Sequence, residues 1–439
     1  MLKNLITFFF FVFCFNLFAQ TPTIIFEEYT LPNGLKVILH ENHTTPIVAV
    51  SVMYHVGSKN EKPNRTGFAH FFEHLLFEGS KHIKRGEFFK YIENAGGQNN
   101  ANTTNDRTFY YEVLPSNQLE LGLWLESERL LHANINQDGV DTQNEVVKEE
   151  KRLRVDNQPY GSFFAEINKR AFKEHPYKWT TIGEMEHLDA ATLDEFIDFY
   201  HKFYVPENAI LSIAGDIDVA YTKQLISSYF GTIPRGKGDI EKVSIVEPPL
   251  GGEIRDTIYD DIQLPGVMMA YRAPKQGDED FYAIEMMSKI LSDGESSRLN
   301  KTCVEKSQSA MYCGSFPYAS EDPGLSFVYS IANSGVDPLD LELEINKELK
   351  LLQTTLVTEK EMRKIRNMIE NDFVGNFTSM IGIAENLANY KMYFGDANLI
   401  NTELNRYLKV TREDIMRVAN DYFKPSNRVI LYYLPNEKG

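Results

Sequence analysis

Residues Ile47–Tyr54 alternate, with Val48, Val50, Val52 and Tyr54 on one side, and this period of two predicts a strand with a buried face. Ahead of it, Leu31-Pro32-Asn33-Gly34 supplies turn residues between two apolar runs, Phe26–Thr30 and Leu35–Leu39, and predicts a hairpin. The period then changes. Gly67–Phe77 reads as a helix, with Gly79 placed to stop it. Gln118–His132 and Val140–Val155 carry the same helical spacing. Hairpins followed by runs of helix, rather than strict strand–helix alternation, predict an α+β fold with largely antiparallel sheets.

The pattern recurs along the chain. Thr192-Leu193-Asp194 leads through Phe203-Tyr204-Val205-Pro206-Glu207-Asn208 to Ala209-Ile210-Leu211. Thr411-Arg412-Glu413 leads through Tyr422-Phe423-Lys424-Pro425-Ser426-Asn427 to Arg428-Val429-Ile430. Pro206 and Pro425, like Asn208 and Asn427, are 219 residues apart, and the same shift carries Pro46, before the Ile47 strand, to Pro265 before Gly266-Val267-Met268-Met269. Two matches at one shift point to a duplication, two domains built on one plan. The stretch 231–252 holds Pro234, Gly236, Gly238, Pro248, Pro249, Gly251 and Gly252, which is linker composition. The expected organisation is a leader over 1–19, a first domain over 24–232, a linker over 233–252 and a second, homologous domain over 253–439.

The leader rests on Lys3, the phenylalanine-rich apolar run Leu5–Phe18, and Ala19 at its end. A basic start, an apolar core and a small residue form a secretory signal peptide, and the run is shorter than the roughly 20 residues that span a bilayer. An uncleaved anchor is the alternative. Cys14 would suit a lipoprotein, but bulky Phe13 precedes it where a small residue is needed. The expected location is exported, periplasmic or secreted. In that oxidising setting Cys303 and Cys313 either pair or stay as buried thiols, since spacing alone cannot show whether their Cβ atoms meet.

Composition narrows the function. With 45 Lys+Arg against 62 Asp+Glu the net charge is −17, which argues against nucleic acid as a partner. Three cysteines in 439 residues exclude a disulfide scaffold. All ten histidines lie at or before His201, so any histidine chemistry belongs to the first half.

Within the apolar Gly67–Phe77 helix lies His70-Phe71-Phe72-Glu73-His74. His70 and His74 are i and i+4, so both imidazoles project from one face and can grip one ion. Glu73 flanks that face and is placed to take a proton from a metal-bound water without being a ligand. Packing two imidazoles and a carboxylate beside Phe71, Phe72, Leu75, Leu76 and Phe77 would be costly without a metal or other partners. A catalytic zinc takes three protein ligands, and Glu145, Glu149 and Glu150, on the next long helix, are all candidates for the third.

These residues resemble the pitrilysin/insulinase family of zinc peptidases, whose motif is this inverted His-x-x-Glu-His. The short two-domain branch, which includes the mitochondrial processing peptidase, is the most similar. Gly67–Ser80 follows the family's zinc-helix pattern. Gly96-Gly97-Gln98-Asn99-Asn100-Ala101-Asn102-Thr103 with Asp106, Thr108 and Tyr110 matches its next signature, and Glu149-Glu150-Lys151-Arg152 with Asn157–Gly161 matches a third. The resemblance implies that Glu150 is the third ligand, that one Zn2+ binds per chain, and that Glu73 is the catalytic base. It also implies two sheet-and-helix domains facing each other around a cavity. Peptides or unfolded segments would be held there as an added strand, with Asn100 and Ala101 on the receiving edge. Many active members carry an Arg/Tyr pair, seven residues apart, on a strand of the second domain. The matching strand here, Gly324–Ile331, offers Ser326 and Asn333 instead. The expected assembly is therefore a dimer, and a heterodimer if a partner chain supplies the pair. The competing function is a non-catalytic peptide-binding or assembly subunit.

Overall fold

The computed structural model describes residues 23–436; the expected leader over 1–19 lies outside the described residues. In the first half, β1 (Glu27–Thr30) and β2 (Lys36–Glu41) form the hairpin around Asn33-Gly34. They are followed by β3 (Ile47–Tyr54), β4 (Gln98–Thr103), β5 (Thr108–Pro115) and β6 (Ala209–Gly215). In space the order is β1-β2-β6-β3-β5-β4. The second half adds β7 (Ile254–Asp260), β8 (Gly266–Ala273), β9 (Ala310–Pro317), β10 (Gly324–Ala332) and β11 (Arg428–Pro435), ordered β7-β11-β8-β10-β9. Both sheets are mixed. Each is antiparallel except for one pair, β2 with β6 and β7 with β11.

The duplication is explicit in the elements. β3 and β8 start 219 residues apart and have equal length, as do the helices Leu193–Phe203 and Arg412–Tyr422. Thr192 and Thr411 start those two helices with the same device: each hydroxyl accepts an amide three residues on, from Glu195 and Asp414, whose carboxylates return the contact. Residues 234–253, between the two sheets, contain neither helix nor strand.

Five helices of the first half matter for the site: α1 (Phe68–Leu75), α2 (Phe88–Asn94), α3 (Leu119–His132), α4 (Gln137–Lys151) and α5 (Phe163–Ala171). The first four stay with their own sheet. Helix α5 does not. Its Phe163, Ile167 and Ala171 pack with Met268, Ala270, Leu325, Phe327 and Leu431 of the second sheet. The helix Met380–Phe394, which contains the position 219 residues after Phe163, makes the reciprocal crossing. Its Met380, Ile383, Ala384 and Leu387 cover Ala49, Met53, Ile210 and Ala214 of the first sheet. At roughly 1.5–3 kcal/mol for each large apolar side chain removed from water, these exchanged helices hold the two sheets in one arrangement.

A buried polar cluster adds to that. Lys59 Nζ lies 2.9 Å from Asp106 Oδ1, 2.6 Å from Glu321 Oε2 and 3.1 Å from Asp322 Oδ2. His55 Nε2 meets the same Glu321 oxygen at 2.7 Å, and the Tyr177 hydroxyl donates to Asp106 at 2.6 Å. Cys303 and Cys313 are both buried free thiols. No helix among the described residues is long and apolar enough to cross a membrane.

Candidate metal centre

Helix α1 is short, eight residues, and is fixed at its start by the nearby Glu61 and at its end by groups distant in sequence. It begins at Gly67, whose φ of 92° is the left-handed conformation that glycine tolerates, and a Cβ there would meet the Ile182 carbonyl at 2.8 Å. The buried Glu61 carboxylate accepts the amides of Gly67 and Ala69 at 2.9 and 2.8 Å, two of the donors a helix start leaves unpaired. At the other end, Arg129 Nη1 donates to the Leu76 carbonyl at 3.0 Å, and the Tyr110 hydroxyl donates to the Phe72 carbonyl at 2.9 Å. Arg129 is itself buried. It pairs with Glu126 at 3.1 Å and lies over the rings of Phe77, Phe88 and Tyr110 at 4.4, 4.5 and 4.2 Å. The apolar side, Phe68, Phe71, Phe72 and Leu75, is buried in the first core.

The remaining side presents His70 and His74. Helix α4 brings Glu150 to them: its Oε2 is 3.6 Å from His70 Nε2 and 3.1 Å from His74 Nε2. The three donor atoms lie within 4.8 Å of one another. A zinc ion sits about 2.0–2.2 Å from imidazole nitrogen and carboxylate oxygen, so this set fits it. The adjacent His70 and His74 imidazoles hold the Glu150 carboxyl well below the ordinary range, so it is the anion that a cation needs. Its other oxygen, Oε1, is engaged by Arg154 at 2.7 Å. Glu145 and Glu149 do not reach the histidines. Glu145 is exposed and pairs with Lys148 at 3.2 Å, and Glu149 is exposed and pairs with Arg152 at 3.0 Å.

Glu73 stands beside this set rather than in it. Its Oε2 accepts a hydrogen bond of 2.6 Å from the Thr103 hydroxyl of β4, which leaves Oε1 free. Glu73 and two of the three ligands, His70 and Glu150, line a cavity of about 480 Å³ between the halves. His70, Glu150 and Ala101 form its first-half wall, and Tyr318, Leu325 and Phe327 come from the second half. Strand β4 is the last of its sheet, so one side of its backbone is unpaired.

The structure separates the two residues expected on that edge. Ala101 faces the cavity. Asn100 is exposed and does not line it, and its Oδ1 accepts the Ala101 amide at 2.9 Å. Ser326 is buried on the face of β10 away from the cavity, between the cavity residues Leu325 and Phe327, and Asn333 donates to the Gln308 carbonyl at 2.7 Å. Neither lines the cavity. An arginine and a tyrosine do line it, Arg154 after α4 and Tyr318 after β9, but from different segments. Thr103, Glu61 and Arg129 carry no motif that marks them in the sequence. Thr103 shares the Ala101 face of β4, which alternation makes readable, and Glu61 lies only six residues before the helix start it caps; Arg129 acts through contacts distant in sequence.

Known proteins share this architecture. Residues 36–184 match the family model for "Insulinase (Peptidase family M16)", and residues 190–369 match "Peptidase M16 inactive domain". The zinc protease PqqE of Helicobacter pylori is 30% identical over 96% of this chain and 95% of its own length. The mitochondrial-processing peptidase subunit beta of Blastocladiella emersonii is 25% identical over 93% of this chain and 88% of its own. A crystal structure of a protease from Helicobacter pylori superposes with a TM-score of 0.90 at 30% identity, covering 94% of this chain and all of that one. The model for the inactive domain covers the half without histidine, apart from His201, and the other covers His70, Glu73, His74 and Glu150. The chain therefore belongs to the insulinase family, peptidase family M16.

Proposed function

We propose that this chain is an exported zinc metallopeptidase that hydrolyses peptide bonds in peptides or unfolded segments. The observation that carries the proposal is the convergence of His70 Nε2, His74 Nε2 and Glu150 Oε2, with Glu73 alongside, at a cavity bounded by an unpaired strand edge. When bound by these three residues, one zinc ion supplies Lewis acidity toward the scissile carbonyl and lowers the pKa of water to about 7. Glu73 Oε1, the oxygen that Thr103 leaves free, accepts the proton of the attacking water and returns it to the departing amine. Thr103 fixes the orientation of that carboxylate. The open side of β4 binds substrate backbone as an added strand, with Ala101 facing the cavity. Leu325, Phe327 and Tyr318 exclude water from the opposite side and favour an apolar or aromatic residue near the cut.

The export reading rests on the N-terminal sequence: Lys3, the Leu5–Phe18 run and Ala19. The active form is a dimer, and the absence of an Arg/Tyr pair on β10 supports a second chain that supplies it. Arg154 and Tyr318 are this chain's own groups at the same cavity and are the alternative source. A purified chain with full activity on its own would discard the heterodimer. The reading as a non-catalytic peptide-binding subunit keeps the cavity but gives no role to the intact ligand set. Chelation tests the enzyme reading: removing zinc should abolish hydrolysis of an unfolded polypeptide and adding zinc back should restore it. Hydrolysis indifferent to the chelator would refute it.

A further inference from the structure

A second group of the same chemistry lies outside the cavity. Glu128 and His132 are i and i+4 near the end of α3, and His82 stands in the turn that follows α1. His82 Nδ1 and His132 Nδ1 both reach Glu128 Oε1, each at 2.9 Å. The Ser80 hydroxyl donates to the other oxygen, Oε2, at 2.5 Å. The Glu128 side chain is 6% exposed, whereas His82 is half exposed and His132 about a third. The donor atoms of the three lie within 4.8 Å of one another, as do those of His70, His74 and Glu150.

We propose that His82, Glu128 and His132 form a second cation site, which takes a divalent transition metal of the zinc, nickel or copper class through the two Nδ1 atoms and the Glu128 carboxylate. Two imidazoles and one carboxylate are the donors these ions prefer, and they exclude magnesium and calcium, which want oxygen alone. The geometry is built before any ion arrives. Lys81 donates its amide to the His132 carbonyl at 2.9 Å, and Asn134 donates to the Gly79 carbonyl at 3.1 Å, so the turn is stitched to the end of α3. The Ser80 hydroxyl accepts the amides of His82 and Ile83 at 3.2 and 3.1 Å while it orients the carboxylate, the work of an outer-shell group. The exposed sides of both rings leave room for water to complete the coordination. A cation here would replace the protons now shared among the three groups. It would also tie the turn leaving α1 to α3, the helix whose Arg129 caps α1.

The test is metal content after dialysis of the full chain against zinc. The wild type is expected to hold about two equivalents, the H70A/H74A variant about one, the H82A/H132A variant about one, and the fourfold variant none. Zinc should also raise the Tm of H70A/H74A but not of the fourfold variant. If H70A/H74A holds no zinc and its Tm does not respond, the three groups share protons only and the proposal falls. Should a variant not fold, titration of the wild type decides: about two equivalents support the site and about one overturns it.

Discussion

The Thr103 hydroxyl, on the edge strand β4, donates a hydrogen bond of 2.6 Å to Oε2 of Glu73, on helix α1. One residue thus links the surface that would receive substrate backbone to the carboxylate that would move the proton. Thr103→Val should lower kcat by roughly tenfold or more, because a hydrogen bond to a charged group is worth about 1.5–3 kcal/mol. Bound zinc should stay unchanged and Thr103→Ser should recover most of the activity. Equal kcat for wild type and Thr103→Val would remove Thr103 from the account.

Glu150 is the carboxylate that reaches both histidines, whereas Glu145 and Glu149 pair with Lys148 and Arg152. Glu150→Gln should therefore weaken zinc binding by more than the roughly 10- to 100-fold typical of outer-shell changes. Glu145→Gln and Glu149→Gln should leave it intact. Competition with a chromophoric chelator measures all three on one scale.

The contact between the halves at Glu321 should be sensitive to acid. Burial opposes its charge, but the hydrogen bond from His55 and the nearby Lys59 more than compensate, and the carboxyl is held at about 2 against an ordinary 4.5. A carboxyl lowered by folding contributes stability that is complete above its unfolded value and is lost as pH falls through the folded one. Glu321→Gln should thus lower Tm at neutral pH, and the gap to wild type should close between pH 4.5 and about 2. A gap that stays constant across that window would contradict this.

The exchanged helices make a thermal prediction. Leu387 is fully buried against the first sheet although it belongs to the second half of the sequence. Leu387→Ala should cost about 2–5 kcal/mol. Because each half lacks a cover without the other, wild type and variant should both unfold in a single calorimetric transition. Two separated transitions would mean that the halves are independent.

Much of this molecule is legible in its sequence, for physical reasons that differ by element. The strands at Ile47 and Gly266 and the helices after Thr192 and Thr411 are readable because strand alternation and helix caps are local, and duplication prints them twice. His70 and His74 are readable because the helical repeat alone puts them on one face. Which of three glutamates completes the set is not local; it depends on how α4 lies against α1, and only the family resemblance favoured Glu150. The crossing of α5 and of Met380–Phe394 left no trace either, since an apolar stripe says that a helix must be covered but not by which sheet. Asn100 shows the finer limit. The signature locates the edge strand β4, but which of its residues meet the cavity depends on how the second half covers it, and Asn100 is exposed while Ala101, Asn102 and Thr103 line it.

The central claim is that Glu73 is the base of a zinc peptidase whose metal it does not hold. The most direct measurement compares Glu73→Gln with wild type, each purified with any native partner, for zinc content and for hydrolysis of an unfolded polypeptide. Zinc at His70, His74 and Glu150 should be retained while hydrolysis falls by at least roughly a hundredfold, the low end of what a positioned general base contributes. Hydrolysis persisting at the wild-type rate with zinc bound would contradict it.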